Sequence, residues 1–289
     1  MHPAPSIIMF STLSGLGFGL LTMLGLGLPD VSGWVAFIFF AVGFALAGGG
    51  LISATFHLGH PERALKSFSQ WRSSWLSREA WAAAAAMAVM GIYAALIIFT
   101  GTRIALLGWI GAALSLLTVF TTSMIYTQLK TVPRWNHWSP PVLFMAYAIV
   151  GGLLMAGQVS VATPLLVALG VLQVFAWVDQ DRKEAASDTS LATATGLGTI
   201  GTVRAFESPH TGGNYLTHEM AFRVGRKHAQ TLKVISIILA VVVPVVLLLL
   251  PFNHAFVLLA VVSHFAGVAA QRWLFFAEAK HVVSLYYGR

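Results

Sequence analysis

The sequence predicts an all-α, polytopic membrane protein: a single domain over residues 1–289, built as a bundle of eight transmembrane helices with both termini in the cytoplasm. Three observations lead there. The chain is 57% hydrophobic and only 9% charged, whereas soluble domains carry roughly 25% charged residues. Its apolar residues gather into runs that can span a bilayer, which takes about 20 residues of helix. All but one of its 17 Lys and Arg residues fall on one side of those runs.

The first run covers 6–28. No Lys or Arg precedes it in MHPAPSIIMF, and it is long enough to span, so it reads as a retained helix and not a cleaved leader. The tight turn LPDVSG leads to 34–56, after which comes the polar segment FHLGHPERALKSFSQWRSSWLSREAW, residues 56–81. The third run, 80–100, is parted from 104–126 by GTR. The loop YTQLKTVPRWNHWSPP precedes 140–158 and 163–179, which only the thin separator GQVSVATP divides. A long loop over 180–231 is followed by 232–250, the turn PFN and 254–276. Glycines at 15, 19, 43 and 48–50 read as points of close helix packing.

Charge tests the count. Eight spans return the chain to its starting side and leave only Arg103 on the far side, so the positive-inside rule makes the termini and long loops cytoplasmic. An odd count would scatter the charges. The basic balance therefore points to topology in a bacterial cytoplasmic (inner) membrane, with lipid and not nucleic acid as partner. There is no cysteine, so the chain offers no iron–sulfur cluster, thiolate metal site or disulfide. The loop stretch TATGLGTIGT contains G-x-G-x-x-G, but no strand precedes it, and a flexible Thr/Gly-rich loop is the better reading.

Ionisable residues at membrane depth are few and hence informative. His57 closes the second run and Glu79 opens the third, so a hairpin would bring both to one interface. Arg63 lies between them, Trp71, Trp75 and Trp81 supply flat apolar walls, and Arg272 arrives at the same face in the last span. A quinone suits such a place, because its ring enters from lipid, stacks on aromatics and takes hydrogen bonds and protons at its oxygens. The structural alternative is an interfacial belt of Trp with snorkelling Lys and Arg, the better reading for Trp71, Trp81, Lys66, Arg72 and Arg78. No two His residues share a depth across neighbouring spans, so no haem is expected, and His264 reads as a packing residue. Glu62, His137, His210, His218 and His228 lack ligand spacing, so no metal site is expected. A polytopic transporter is the competing class, disfavoured because the charges crowd one face with no midplane carboxylate.

HLGHPERA, followed at fixed distance by SWLSREAW, resembles the membrane-anchor subunit of the dimethyl sulfoxide reductase family. YTQLKTVPRWNHWSPP and QRWLFFAEAKHV extend the resemblance over most of the chain. It implies an eight-helix anchor without haem that binds a quinone, ubiquinone or menaquinone. It also implies two partners, an iron–sulfur electron-transfer subunit and a catalytic subunit with a molybdopterin (bis-pterin-guanine-dinucleotide) cofactor. The family's quinone-site His and Glu match His57 and Glu79, and Arg63 and Arg272 fall on family-like positions. Within the family, MHPA, SSWLSRE and ESPHTGGNYLTHEMAFRVGRKHAQTLK are more similar to anchors of the cytoplasmic sulfite-oxidising branch. The implied activity is electron transfer from sulfite oxidation in the partners to the quinone pool. The alternative is a quinol-oxidising anchor of a sulfoxide-type reductase. Arg223, Arg226 and Lys227 are the candidates for docking the iron–sulfur subunit, the alternative being retention charges for the seventh span. Two departures stand out: Gln271 occupies a place where relatives often carry an acid, and His60 one where the reductase anchors have a small residue.

Overall fold

The computed structural model describes residues 1–289 apart from 57, 188, 208–209, 211, 213, 215, 217–219, 221–227 and 288–289. Among the described residues every regular element is helical. In chain order these are α1 (Pro5–Gly25), α2 (Gly33–Thr55), α3 (Trp75–Thr100), α4 (Ala105–Thr127), α5 (Ser139–Met155) and α6 (Val159–Ala185). The short α7 (Leu191–Thr195), α8 (Ala229–Leu249) and α9 (His254–Ala277) complete the set. Two 3-10 segments, Pro61–Phe68 and Val282–Tyr287, lie in the loop after α2 and beyond α9.

Seven of these helices, α1–α4, α6, α8 and α9, are long and apolar enough to cross a membrane. The remaining apolar helix, α5, has 17 residues. It is clipped at both ends, by Pro140 in its first turn and by Gly157, which takes φ +69° just past its last residue. The run expected over 140–158 therefore stops at Met155. Its successor starts four residues earlier than expected, with Pro164 inside the helix, and continues to Ala185 instead of 179. The polar extension stays helical because Asp179, Asp181 and Glu184 find partners on the α4–α5 loop. The third helix likewise begins at Trp75, where Ser74 caps it, and not at 80.

Helix α1 lies at the centre, with 72% of its most apolar stretch buried inside the protein against 28–44% for the other six long helices. Close approach makes that position possible. A Cβ on Gly19 would overlap the Ala148 carbonyl of α5, and one on Gly17 would overlap the Ala47 backbone of α2. Gly43 and Gly50 also meet α1, at Leu21 and Ser14. Gly15 and Gly49 face open space, however, and Gly48 only nears Met87, so the packing role expected of those three is not seen. Outward-facing side chains such as Phe99, 84% exposed, are apolar, as a lipid-facing surface requires.

The core divides into a larger cluster centred on α1 and a smaller one shared by α5, α6, α8 and α9. Trp135, in the loop between α4 and α5, folds back over the bundle end, stacks on Phe275 at 5.2 Å and donates to its carbonyl at 2.9 Å. At the same end the Met1 amine donates to the Ala279 carbonyl at 2.5 Å, just past α9.

Helix α8 contains a π turn at Ile238–Val242, one residue before Pro244. Proline has no N–H to offer the Ala240 carbonyl one turn back. His264 of α9 supplies the donor instead, its Nδ1 lying 2.7 Å from Ala240 O, and Ser263 Oγ donates to Leu239 O at 2.8 Å. A carbonyl only accepts, so the His264 proton sits on Nδ1. The packing role expected of His264 is what the structure gives it.

Gly19→Val should cost about 1–3 kcal/mol or more, because backbone and not a yielding side chain occupies the added volume. Gly15→Ala, pointing into open space, should leave stability unchanged. Thermal unfolding of both variants in one detergent provides the comparison.

Candidate functional site

The polar segment after α2 is folded onto the start of α3. Arg78 reaches back from α3 to donate to the carbonyls of Trp71, at 3.0 Å, and Arg72, at 2.7 Å, while its guanidinium covers the Trp75 ring at 4.3 Å. Trp81 donates through Nε1 to Phe68 O at 3.0 Å and meets the Phe68 ring edge-on. These contacts give Arg78 and Trp81 a structural task, in line with the belt reading.

One turn into α3, Glu79 points inward and is 4% exposed. Its carboxyl is hydrogen-bonded to Thr122 Oγ1 of α4. Thr122 has one hydroxyl proton and a second acceptor in reach, Thr118 O at 2.9 Å. A neutral Glu79 that donates to Thr122 Oγ1 frees that proton for Thr118 O. Trp75, one turn before Glu79 on the same helix, is half-buried and meets Phe120 of α4 edge-on at 6.2 Å. Glu79, Trp75, Phe120 and Thr122 thus form one patch along the α3–α4 seam.

The other predicted site residues are placed differently. His57 lies outside the described residues, as do Arg223, Arg226 and Lys227. Arg63 is exposed in the 3-10 segment, its Nε 3.9 Å from Glu62 Oε1, which also holds His60 Nδ1 at 2.9 Å. Arg272 is only 1% exposed and stacks its guanidinium on Phe144 at 3.6 Å and above Tyr147 at 5.5 Å. Tyr126 of α4 lies 6.0 Å from the Phe144 ring. The described contacts of Arg272 are thus with the α5 rings, and none is with Glu79, Trp75, Phe120 or Thr122.

Sequence reasoning missed the strongest charge cluster. Arg134, its side chain 6% exposed, binds Asp181 at 2.5 Å, Glu184 at 3.2 Å and Glu278 at 3.2 Å. Lys233 joins Glu278 at 2.9 Å and Lys280 joins Glu184 at 2.6 Å. Burial pulls the Arg134 pKa down, but the three carboxylates outweigh it and hold the guanidinium above its ordinary value. Burial wins at neighbouring His137, which is lowered even though Asp179 lies 3.1 Å from its Nε2. The available signal was the spacing of Asp181 and Glu184, one turn apart on a helix that runs past its apolar stretch. Among the described residues no group of three or more acidic or His side chains is arranged to hold a metal.

The family model described as "DMSO reductase anchor subunit (DmsC)" matches residues 3–288. The chain belongs to the DMSO reductase anchor subunit family. The resemblance carried by HLGHPERA and SWLSREAW is thereby borne out, and the anchor is a multi-pass membrane protein. A sulfite dehydrogenase subunit of Allochromatium vinosum is 30% identical to it over 323 residues, covering 99% of each chain. No solved structure matches.

Arg134→Ala should destabilise the anchor by about 1.5–3 kcal/mol, because it removes the charge-assisted hydrogen bonds of a covered guanidinium while Lys233 and Lys280 keep Glu278 and Glu184 paired. Asp181→Ala, removing a partner whose side chain is 55% exposed, should cost no more than about 1 kcal/mol. Thermal midpoints of the two variants order the effects.

Proposed function

We propose that this chain is the membrane anchor and quinone-binding subunit of a molybdenum and iron–sulfur oxidoreductase, passing electrons from sulfite oxidation in its partners to the quinone pool. The carrying observation is Glu79: a carboxyl buried at the loop-side end of a span, bonded to Thr122 and one turn from the half-buried ring of Trp75. The family and the sulfite dehydrogenase relative support the partners and the electron donor.

A quinone takes up two electrons and two protons on reduction and travels in the hydrocarbon layer. The α3–α4 patch fits that chemistry. Trp75 and Phe120 offer apolar ring surface, and Glu79 can hold a proton while Thr122 fixes the orientation of its carboxyl. His57 supplies a donor at a quinone oxygen and Arg63 adds positive potential at the interface. Arg272 enters as a buried charge stacked on Phe144 and not as a contact. Electrons must arrive from a partner, since a chain without cysteine holds no iron–sulfur cluster.

The topology in this reading has eight spans, α5 included, with both termini and the 180–231 loop in the cytoplasm of a bacterial inner membrane. Two facts support it. The Met1 amine meets the end of α9, which an even number of crossings requires. Arg103, the one basic residue expected on the far side, pairs with Asp30 at 2.6 Å between α1 and α2. Arg223, Arg226 and Lys227 are the proposed docking residues for the iron–sulfur subunit.

Membranes carrying the complex should reduce a soluble quinone analogue in a sulfite-dependent way. Glu79→Gln, which keeps a hydrogen-bonding partner for Thr122, should lower that rate by about a hundredfold or more. Sulfite oxidation with an artificial soluble acceptor should persist. Unchanged quinone reduction in that variant contradicts the site. Arg226→Glu with Lys227→Glu should release the soluble subunits from membranes, and a fully retained complex contradicts the docking assignment.

A further inference from the structure

The α5–α6–α8–α9 half of the bundle contains polar groups that lie outside the α3–α4 patch. Gln173, Gln271, Arg272, Tyr147 and His264 are all buried. Among the described residues, Gln173 Nε2, Gln271 Oε1, His264 Nε2 and two Arg272 nitrogens, Nε and Nη1, find no hydrogen-bond partner. Leaving such groups unpaired in hydrocarbon costs several kcal/mol each, by order of magnitude, so five in one half of a bundle call for a common explanation.

Their arrangement provides one. At the loop face an outer cavity of about 520 Å³ is lined by Arg134, Asp181, Glu184, Lys280 and Ser284. Behind it an inner cavity of about 10 Å³ is lined by Arg134, Gln173, Gln180, Gln271 and Glu278. Arg134 is a wall of both. The inner volume is about that of a single water, which needs roughly 10–15 Å³ of such space and two to four polar partners. The orphaned Gln173 Nε2 is a donor and the orphaned Gln271 Oε1 an acceptor, and both residues line this space, so one water would bridge them. Gln173 Oε1 in turn accepts from the Tyr147 hydroxyl at 3.1 Å. The Tyr147 ring lies 6.2 Å from that of His264. With its proton on Nδ1, His264 keeps Nε2 as a free acceptor beside Gly151 of α5, 3.3 Å from where a Cβ there would sit. His264 is 13 residues before the end of α9, roughly 20 Å deep at 1.5 Å per residue.

We propose that this half of the anchor holds a narrow hydrated half-channel. It runs from the Arg134 cluster through the Gln173–Gln271 cavity and past Tyr147 to His264, and it carries water, and protons exchanged with it, to mid-depth in the membrane. The α3–α4 patch plays no part in it, so it stands whether or not a quinone binds there.

Radiolytic footprinting of the intact complex in lipid nanodiscs, in oxygen-18 water, tests this directly, because only side chains next to bound water acquire the label. Tyr147 and His264 should be labelled, whereas Met90, equally buried at 0% exposure in α3 and more easily oxidised, should not. Gln173→Leu should abolish the label at Tyr147 and His264. No label at these two residues in the unsubstituted protein, label there no stronger than at Met90, or label unaffected by Gln173→Leu overturns the proposal. If Gln173→Leu does not fold, the comparison with Met90 decides alone.

Discussion

A polar group inside a membrane bundle cannot fall back on water, so its partner must be built into the protein. That constraint accounts for more of this structure than hydrophobicity does, since lipid is as apolar as the core and gives helices no reason to associate. Where α8 loses a backbone donor at Pro244, α9 answers with His264 and α8 is locked to its neighbour. Where α3 carries a carboxyl inward, α4 answers with Thr122. Where Arg134 is covered by the bundle end, carboxylates from α6 and from just beyond α9 converge on it. Each answer fixes which helices are neighbours and at what height.

Backbone contact does the rest. Gly17 and Gly19 let α1 touch α2 and α5 without intervening side chains, which places the most buried helix on the axis. The loop between α4 and α5 then ties the two core clusters together, because Trp135 is held by Phe275 while the neighbouring Arg134 is held by α6. The site seam between α3 and α4 and the polar half around α6, α8 and α9 are thus linked through one short loop.

The spans were legible because a run of about 20 apolar residues has few other uses, and Glu79 because a carboxylate at such a depth is costly enough to be conspicuous. Thr122 was not, since threonine is common in transmembrane helices and nothing in VFTTSMIYT says which hydroxyl faces α3. The Arg134 cluster escaped because its members are far apart in sequence and hydropathy places the end of α6 before Asp181. The roles of Gly15, Gly48 and Gly49 were misread for a similar reason. Glycine permits close approach but does not say which helix face has a neighbour. Arg272 was placed at the right end of the right helix, but its rotation about that helix, which sends it onto the Phe144 ring, is not written in spacing.

Arg272 shows how far stability alone can explain such a residue. Stacking on Phe144 at 3.6 Å is worth about 2 kcal/mol when desolvated, while burying the guanidinium costs several kcal/mol. An adjacent acid would close that gap, yet position 271 holds a neutral glutamine, and no carboxylate among the described residues pairs with Arg272. The deficit is met only if its free nitrogens meet water or if Tyr126 and Tyr147 place their oxygens toward it. Both options put polarity at the same depth in the same half of the bundle. A leucine there would pack more cheaply, so the stability of the fold does not by itself account for Arg272.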